Sequence, residues 1–469
     1  MADTPSPLAR TTAPVAHTTA SVADTTAAAA QPHALALTDL HASLTDPVLD
    51  AMNFLNEVVA RFPEALSFAP GRPSEGTFET EDLARYLRIY TDHLEQVLDW
   101  PRDRVRTQLF QYGRTNGIIH ELIARTLAND EGIHVSPEAV VVTTGCQEAM
   151  LLTLRALFAR PEDTLLVSSP CYVGVTGAAR LLDIAIQPVR EGAEGPDPDA
   201  VLAAVRRTRR AGGRPRALYV VPDFANPSGA SMTVDARERL LRIAAEEDLL
   251  ILEDDPYGFF VRAGAARPTM KSLDTERRVL HLGSFAKTAL PGARVGYVVA
   301  DQEVIGTAGR RSLLADELSK IKSMTTVNTS AIGQAVVGGL LIESGCRLRE
   351  ANARAIAHYR TNLNTLLGEL ERHFPAERRR ALGVRWNEPT GGFFLVVDVP
   401  FVADTKALEH SARNFGVLWT PMSDFYLDGG GEHQLRLSCS SLTPNQIVEG
   451  VAGLARFIEA QATEADPHH

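Results

Sequence analysis

The amino-acid sequence predicts an α/β protein whose large domain is built on a mostly parallel sheet. Between about Glu138 and Ala300, short apolar runs rich in β-branched residues alternate with longer helix-like stretches. Runs that are apolar throughout are typical of strands buried on both faces, and their alternation with helices is typical of a parallel sheet. The six runs lie at 139–145, 164–170, 217–223, 249–255, 279–284 and 295–300.

The residues before this region fall into two predicted parts. Residues 1–37 repeat Ala, Thr and Pro and contain no aromatic residue, since the first aromatic side chain is that of Phe54. A segment of this composition buries too little apolar surface to offset the entropy lost on ordering. We therefore expect a disordered tail over 1–37, and an N-terminal arm over 38–80 that joins the small domain.

The residues after the six runs predict a second, smaller domain. A long helical stretch is expected over about 302–344, and apolar runs at 393–400 and 434–440 alternate with amphipathic helices. This mixture is typical of an α+β domain. The predicted boundaries are 81–325 for the large domain, 326–462 for the small domain and 463–469 for a C-terminal tail.

Composition narrows the classes of function. The 469 residues include 47 Lys and Arg against 58 Asp and Glu, a formal net charge of −11, so no chain-wide basic field attracts nucleic acid or anionic lipid. The four cysteines are too widely spaced for a disulfide framework or a paired-cysteine metal site. The sequence contains neither 18 successive apolar residues nor a secretory signal pattern. We expect a cytoplasmic enzyme with no metal, nucleic-acid or membrane partner.

Polar or glycine-containing clusters follow five of the six runs. Ligands of open parallel sheets bind beyond the carboxyl ends of the strands, so we expect these clusters to meet in one crevice. The clusters are Gly145-Cys146-Gln147, Pro170-Cys171-Tyr172, Asn226-Pro227-Ser228-Gly229, Asp254-Asp255-Pro256-Tyr257 and Ser284-Phe285-Ala286-Lys287.

Nucleotide-binding and hydrolase motifs fit these clusters poorly. A P-loop requires glycine at the positions that His281 and Ala286 occupy. A G-x-G-x-x-G fingerprint after the first run is absent, as are H-E-x-x-H, G-x-S-x-G and zinc-ligand spacings. The strand ends therefore indicate another chemistry.

A lysine, a buried carboxylate and a helix N-terminus around one crevice match the needs of one cofactor. Lys287, at the end of a buried strand, can lose its proton through desolvation and form a Schiff base with a carbonyl. A carboxylate opposite it can keep a pyridinium nitrogen protonated, which the electron sink of pyridoxal phosphate requires. The turn at Gly145 supplies amide donors for a phosphate. We therefore expect pyridoxal 5′-phosphate.

The stretch Ser284–Tyr297, SFAKTALPGARVGY, resembles the S-[FN]-S-K-x-x-x-P-G-x-R-x-G signature of fold-type I pyridoxal-phosphate enzymes. The sequence is similar to the class I/II aminotransferase family over roughly 67–460, and its pattern is closest to the 2-aminoadipate and kynurenine aminotransferase-like branch. The resemblance implies the fold-type I architecture and a homodimer with shared active sites. The further motifs, in the family's order, are QYG (111–113), NPSG (226–229), EDDPYG (253–258), PTGGFF (389–394) and LRLS (435–438).

The resemblance implies catalytic roles for three residues. Lys287 would bind the cofactor covalently and then move a proton between the substrate Cα and the cofactor. Asp254 would pair with the pyridinium nitrogen. Tyr257 would donate to the phenolic oxygen of the cofactor, with Asn226 beside it, and Tyr172 would stack on the ring.

The resemblance also implies a phosphate site. Its donors would be the turn amides of Gly145, Cys146 and Gln147, the hydroxyl of Ser284 and the guanidinium of Arg294. Cys146 would act through its main-chain amide, so its thiol needs no role.

Three further residues would complete the site across subunits and toward the substrate. Tyr112 would reach the phosphate of the neighbouring subunit's cofactor. Arg436 would hold the substrate α-carboxylate as a bidentate fork, beside Asn226. Arg72, in the loop SFAPGRP where relatives commonly have F-x-G-G-x-P, could bind an anionic substrate side chain, although a solvated surface arginine is the alternative. Ala286 replaces the second serine of the signature, and such departures favour a specialised substrate.

Three functions remain open from the sequence. The leading hypothesis is an aminotransferase that moves an amino group between an L-amino acid and a 2-oxo acid in specialised metabolism. The same residues also support a non-transaminase of this fold, such as an S-adenosylmethionine-consuming elimination or replacement synthase, a cyclase or an amino-acid oxidase. A regulatory protein fused to a DNA-binding domain is third, but the tail has no helix-turn-helix pattern or basic face.

Overall fold

The computed structural model describes residues 34–46, 49, 57–77 and 79–465. Most of the predicted tail over 1–37 therefore lies outside the described residues, and its last residue, Leu37, begins a short 3-10 helix. The strands in chain order are β1 (Leu66–Ser67), β2 (Val140–Thr143), β3 (Asp163–Ser169), β4 (Ala185–Gly192), β5 (Gly195–Pro196), β6 (Arg214–Val220), β7 (Leu250–Asp254), β8 (Val279–Ser284), β9 (Gly296–Val299), β10 (Glu303–Ile305), β11 (Arg311–Leu313), β12 (Arg385–Trp386), β13 (Phe394–Asp398), β14 (Val417–Leu418), β15 (Thr420–Pro421) and β16 (Gln434–Ser438).

The α-helices cover both faces of the large sheet and build most of the second domain. In chain order they are α1 (Thr80–Asp92), α2 (Arg102–Phe110), α3 (His120–Glu131), α4 (Gly145–Leu157), α5 (Val173–Leu181), α6 (Pro198–Arg210), α7 (Val234–Glu246), α8 (Met270–Leu273), α9 (Leu314–Thr325), α10 (Ala331–Glu343), α11 (Leu348–Ala351), α12 (Ala353–His373), α13 (Ala376–Leu382), α14 (Thr405–Phe415) and α15 (Pro444–Ala465). Among the described residues, no helix is both long and apolar enough to cross a lipid bilayer.

The large sheet has eight strands in the order β2-β9-β8-β7-β6-β3-β4-β5. The pairs from β8 through β7, β6 and β3 to β4 are parallel, whereas β9 runs antiparallel between β2 and β8. Leu165 and Val167 pack in one core cluster and Leu166 packs in another, so β3 is buried on both faces. The mostly parallel α/β sheet is therefore confirmed.

Strand β4 was not among the predicted runs. Its sequence, AIQPVREG, mixes polar residues with Pro188, and most of its side chains are partly or fully exposed near the sheet edge. A strand at such a position carries no continuous apolar pattern, because one of its faces has little core to contact.

The prediction of one helical stretch over about 302–344 was wrong in its first part. Residues 303–313 form the antiparallel hairpin β10–β11, whose turn includes Gly309 at φ +73°. A left-handed residue at this position favours a tight turn over a continuing helix. The remainder forms two helices, α9 and α10, and Ser330 caps α10 by accepting a hydrogen bond from the amide of Gly333.

The second region is built on an antiparallel sheet in the order β12-β13-β16-β15. Strand β1 pairs in parallel with β14, so the segment before α1 is hydrogen-bonded to this region. Its core contains Phe68, Phe374 and Trp419, which are fully buried. Helix α15 extends three residues into the predicted tail over 463–469, and residues 466–469 lie outside the described part.

Helices α1 and α10 pack closely because α10 carries glycine at the contact. An ideal Cβ on Gly339 would lie 1.9 Å from the carbonyl oxygen of Tyr86, which is backbone and has little freedom to move. Gly368, in the interior of α12, has no heavy atom within 4 Å of the same position. The two helical glycines therefore differ only in the space around them.

We predict opposite effects of alanine at these two glycines. Gly339→Ala should lower the free energy of unfolding by about 1–3 kcal/mol, because the methyl group forces α1 and α10 apart. Gly368→Ala should raise it by about 0.5–1 kcal/mol, because alanine reduces the flexibility of the unfolded chain at no steric cost. Denaturant unfolding of both variants measures the difference, and an unfolding free energy unchanged in Gly339→Ala would contradict this account.

Candidate active site

The strand ends meet at the carboxyl edge of the large sheet, as the sequence analysis expected. Asp254 ends β7 and Ser284 ends β8, while Asn226 follows β6 and Tyr172 follows β3. Gly145 begins α4 directly after β2. Because β2, β3, β6, β7 and β8 all run in the same direction, these residues open onto one crevice.

Asp254 lies at the bottom of the crevice and is 4% exposed. Its Oδ2 accepts a hydrogen bond from the Tyr219 hydroxyl at 2.6 Å, and its Oδ1 accepts one from the Cys146 thiol at 3.3 Å. Burial raises the pKa of Asp254 to about 6, because desolvation disfavours the charged form, and the two donors act in the opposite direction. The Cys146 thiol therefore contacts the site, which the sequence analysis did not expect.

Lys287 follows β8 and is partly buried. Its Nζ donates a hydrogen bond to the main-chain carbonyl of Gly71 at 2.7 Å. Desolvation lowers the pKa of Lys287 to about 8, with further lowering by the charges of Arg294 and Arg436. A substantial fraction of this amine is therefore neutral near physiological pH, as a nucleophile requires.

The N-terminus of α4 forms a cradle beside Arg294. Gly145 has φ +74°, and an ideal Cβ there would lie 2.5 Å from Nη2 of Arg294. A side chain at Gly145 is therefore strained by the backbone conformation and would displace the guanidinium. The first main-chain N–H groups of a helix, the helix dipole and a guanidinium together form the donor set that a phosphate needs.

Arg436, in β16, is 4% exposed and lies between two aromatic rings. The rings of Phe394 and Phe425 lie 4.7 and 5.0 Å from its guanidinium carbon. Nη1 donates to Oδ1 of Asn226 at 2.6 Å, and Nη2 donates to the carbonyl of Ala69 at 2.6 Å. Desolvation lowers the pKa of Arg436 to about 10.

The fork of Arg436 retains binding capacity. Its Nε is buried and has no hydrogen-bond acceptor within the described part of the chain. A buried guanidinium that, among the described residues, is held by neutral acceptors and hydrogen-bonded to no carboxylate suits an anionic substrate group.

Two tyrosines line the crevice. Tyr257 is buried and packs edge-on against Phe393 and Phe394, with ring centroids 5.4 and 5.6 Å apart. Tyr172 immediately precedes α5. Desolvation raises the pKa of both hydroxyls, so both are protonated donors at neutral pH.

Four other predicted site residues are exposed or make only local side-chain contacts. Tyr112 is 86% exposed, and the side chain of Arg72 is 58% exposed, with its Nη2 3.7 Å from Oε1 of Glu75. Gln147 is exposed and its amide donates to the carbonyl of Gly174. The hydroxyl of Ser284 accepts from the amide of Ala286.

Sequence reasoning missed three contributors to the crevice. Tyr219 lies inside a predicted strand, but its contact depends on the register of β6 against β7, which pairs Tyr219 with Leu252 on the same sheet face as Asp254. The carbonyls of Ala69 and Gly71 could not be predicted from the sequence, because every residue has a main-chain oxygen and none is distinguished by its side chain.

The residues present fit pyridoxal phosphate. A buried carboxylate faces a lysine of lowered pKa in the same crevice, and the glycine-lined cradle at Gly145 is suited to a phosphate. The bound cofactor supplies an electron sink for a substrate deprotonated at Cα. The fold and this site together define a pyridoxal-phosphate-dependent enzyme of fold type I.

The chain belongs to the aminotransferase class I and II family, whose model matches residues 95–454. It is 50% identical over 432 residues to the (S)-3,5-dihydroxyphenylglycine transaminase of Amycolatopsis orientalis, an alignment that covers 91% of this chain and 95% of the relative. It is 32% identical over 403 residues to the 2-aminoadipate transaminase of Thermus thermophilus, covering 85% and 91%.

Solved structures agree with this assignment. The kynurenine aminotransferase of Pyrococcus horikoshii, determined in complex with PMP, superposes with a TM-score of 0.73 at 27% identity, covering 87% of this chain and 94% of that structure. The expected family, the 2-aminoadipate/kynurenine branch, the fold and the cofactor are thereby confirmed, and the protein is an aminotransferase.

We predict that borohydride fixes the cofactor on Lys287. After reduction and denaturation, the peptide containing Lys287 should carry the mass of the reduced cofactor, whereas Lys287→Ala should release all cofactor. Transamination by Lys287→Ala should fall by about 10²–10⁴-fold or more, because the group predicted to move the proton is lost. Lys320→Ala, which changes a surface lysine paired with Glu317, is the matched control and should retain both label and activity. Labelling elsewhere in the chain would refute the assignment.

Proposed function

We propose that this aminotransferase acts on an arylglycine with a hydroxylated ring, exchanging its amino group with the oxo group of a 2-oxo acid. The 50% identity to the dihydroxyphenylglycine transaminase, over nearly the full length of both chains, carries this proposal. In one direction an arylglyoxylate receives the amino group and becomes the arylglycine, while the donor amino acid becomes a 2-oxo acid. Such a substrate belongs to specialised metabolism.

A cleft beside Lys287 supports an aromatic substrate. Its volume is about 270 Å³. Its apolar lining suits a ring attached directly to Cα, and carboxylates at its edge can accept hydrogen bonds from ring hydroxyls. The apolar residues are Leu83, Ala289, Leu290, Val336, Val337, Leu340, Ala351 and Ala355, the aromatic ones are Tyr86 and Tyr359, the carboxylates are Glu79 and Asp82, and the cations are Lys287 and Arg354.

In this proposal, different residues bind the substrate, transfer the proton and bind the cofactor. Arg436 binds the substrate α-carboxylate and, with Asn226, orients the Cα–H bond toward Lys287. Lys287 would accept the Cα proton of the substrate and hold it on Nζ, which its lowered pKa favours, while the bound cofactor would supply the electron sink. Asp254 holds the pyridine nitrogen and Tyr257 the phenolic oxygen.

The remaining predicted residues keep their proposed roles. Cys146, Gln147, Ser284 and the Gly145 turn bind phosphate with Arg294, and Tyr172 stacks on the cofactor ring. Arg72 adjoins Gly71 at the mouth of the site, where its exposed guanidinium can bind an anionic side chain of the second substrate. Transamination is favoured over elimination, replacement or oxidation because the relative at 50% identity is a transaminase.

We further propose a cytoplasmic homodimer with shared sites. Exposed apolar side chains support it, because large exposed hydrophobic residues commonly mark an interface. Tyr112 is 86% exposed, and Phe110 and Met324 are 73% and 83% exposed. Four unpaired cysteines suit a reducing compartment.

We predict a half-reaction preference for arylglycines. (S)-3,5-dihydroxyphenylglycine and (S)-4-hydroxyphenylglycine should convert bound pyridoxal phosphate to pyridoxamine phosphate with a kcat/KM at least ~10-fold above that of leucine or 2-aminoadipate, because the cleft binds the ring. Chromatography of the released cofactor measures the conversion, and the (R) enantiomers are the controls. A panel in which 2-aminoadipate reacts and no arylglycine does would overturn the proposed substrate.

Filling the cleft with a larger side chain is a second test of the proposed substrate. Leu83→Trp should lower kcat/KM for arylglycines by about 10-fold or more and change that for alanine much less. Leu181→Trp alters a similarly exposed leucine on α5, remote from the cleft, and is the matched control. Equal effects on both donors would place the ring elsewhere.

We predict that Tyr112 acts across subunits. Tyr112→Ala and Lys287→Ala should each be impaired as pure dimers, and hybrid dimers of the two should regain activity, because one of their two sites has both native residues. Sedimentation of the native enzyme should give twice the chain mass. Hybrids without recovery would assign Tyr112 to its own subunit's site.

A further inference from the structure

Each oxygen of the Asp254 carboxylate accepts one side-chain hydrogen bond, from the Tyr219 hydroxyl or from the Cys146 thiol. Neither the hydroxyl nor the thiol has a role in the proposed function. We propose that Tyr219 and Cys146 are positioning residues that keep Asp254 ionised and oriented toward the pyridine nitrogen of the cofactor. This inference rests on the proposed role of Asp254.

Tyr219 is the stronger of the two donors. It lies in the centre of the large sheet on β6, is 2% exposed, and its hydroxyl lies 2.6 Å from Oδ2 of Asp254. A phenol hydrogen bond to a carboxylate is charge-assisted, and the surrounding core leaves the ring no alternative position. Desolvation raises the pKa of Tyr219, so the hydroxyl stays protonated and donates.

Cys146 approaches from the other side. Its Sγ lies 3.3 Å from Oδ1, and desolvation followed by the Asp254 charge raises the pKa of the thiol. The group is therefore a neutral thiol that donates, rather than a reactive thiolate. Cys146 is the second residue of α4, so it connects the phosphate cradle to the opposite end of the cofactor site.

The two donors counter the main effect of burial. Burial alone favours the protonated form of a carboxylate. The protonated oxygen of that form cannot accept a hydrogen bond from a pyridinium. Each oxygen has a second lone pair, so the donors leave a position open for the pyridinium. The titratable and charged groups that act on Asp254, or on which its charge acts, are Cys146 on α4, Cys171 and Tyr172 after β3, Tyr219 on β6, Tyr257 after β7, His281 on β8, and Lys287.

Cofactor affinity measured across pH tests the proposal. Tyr219→Phe should weaken pyridoxal-phosphate binding, measured by fluorescence titration, about 10-fold at pH 8, the loss expected for one hydrogen bond to a charged group. The pH below which affinity declines should rise by about one unit, because Asp254 becomes easier to protonate. The absorption spectrum of the bound cofactor should change its pH midpoint correspondingly.

Two substitutions of Cys146 distinguish the effect of the thiol's hydrogen bond from the effect of its packing. Cys146→Ala should weaken cofactor binding about 3-fold, since a thiol is a weak donor, whereas Cys146→Ser should match or exceed the native affinity. Tyr90→Phe and Cys346→Ala are the matched controls, because both residues are buried and lie apart from Asp254. Both should bind the cofactor with native affinity and pH dependence. Thermal unfolding of every variant identifies any loss caused by misfolding.

Asp254→Asn distinguishes failure of this inference from failure of the proposed site. If Asp254→Asn binds the cofactor with native affinity, the assigned role of Asp254 is wrong. If Asp254→Asn is impaired while Tyr219→Phe and Cys146→Ala titrate as the native enzyme does, the positioning role is overturned. If Tyr219→Phe does not fold, the comparison of Cys146→Ala with Cys146→Ser decides the question.

Discussion

The proposed role of Asp254 depends on a carboxylate that is charged inside the protein. Burial raises the pKa of Asp254 to about 6, so its surroundings have to favour the ionised form. Tyr219 and Cys146 provide donors from a central strand and from a helix N-terminus, and Lys287 adds a favourable positive charge. The parallel sheet makes this possible, because adjacent strands end at the same edge.

A short segment of main chain links the two halves of the enzyme at this edge. The carbonyl of Gly71 contacts Lys287 of the large domain, and the carbonyl of Ala69 contacts Arg436 on β16. The segment is held in turn by the pairing of β1 with β14 and by the Ser440 hydroxyl, which donates to the carbonyl of Arg72. Main chain therefore connects Lys287 with Arg436, in addition to the direct hydrogen bond from Arg436 to Asn226.

The sequence predicts most of the scaffold and the residue types of the site, and the omissions have physical causes. Strand β4 lacks an apolar pattern because most of its side chains are partly or fully exposed. The β10–β11 hairpin was assigned to a helix because no strongly apolar run marks its short strands. Tyr219 lies within a predicted strand, but its contact with Asp254 depends on register between β6 and β7, which periodicity alone leaves undetermined.

The distribution of charge explains how a protein with a negative net charge can bind anions. The chain has a net charge of −11, yet the positive charges of Arg294 and Arg436 both act on Lys287. Desolvation is the main cause of the lowered pKa of Lys287, and the two guanidinium charges lower it further. A phosphate beside Arg294 and a carboxylate on Arg436 would each offset one of these charges. Anion binding thus relieves the repulsion of the Lys287 ammonium by the two guanidinium groups, so the electrostatic cost of placing these charges together in the free enzyme favours a ligand with two anionic groups.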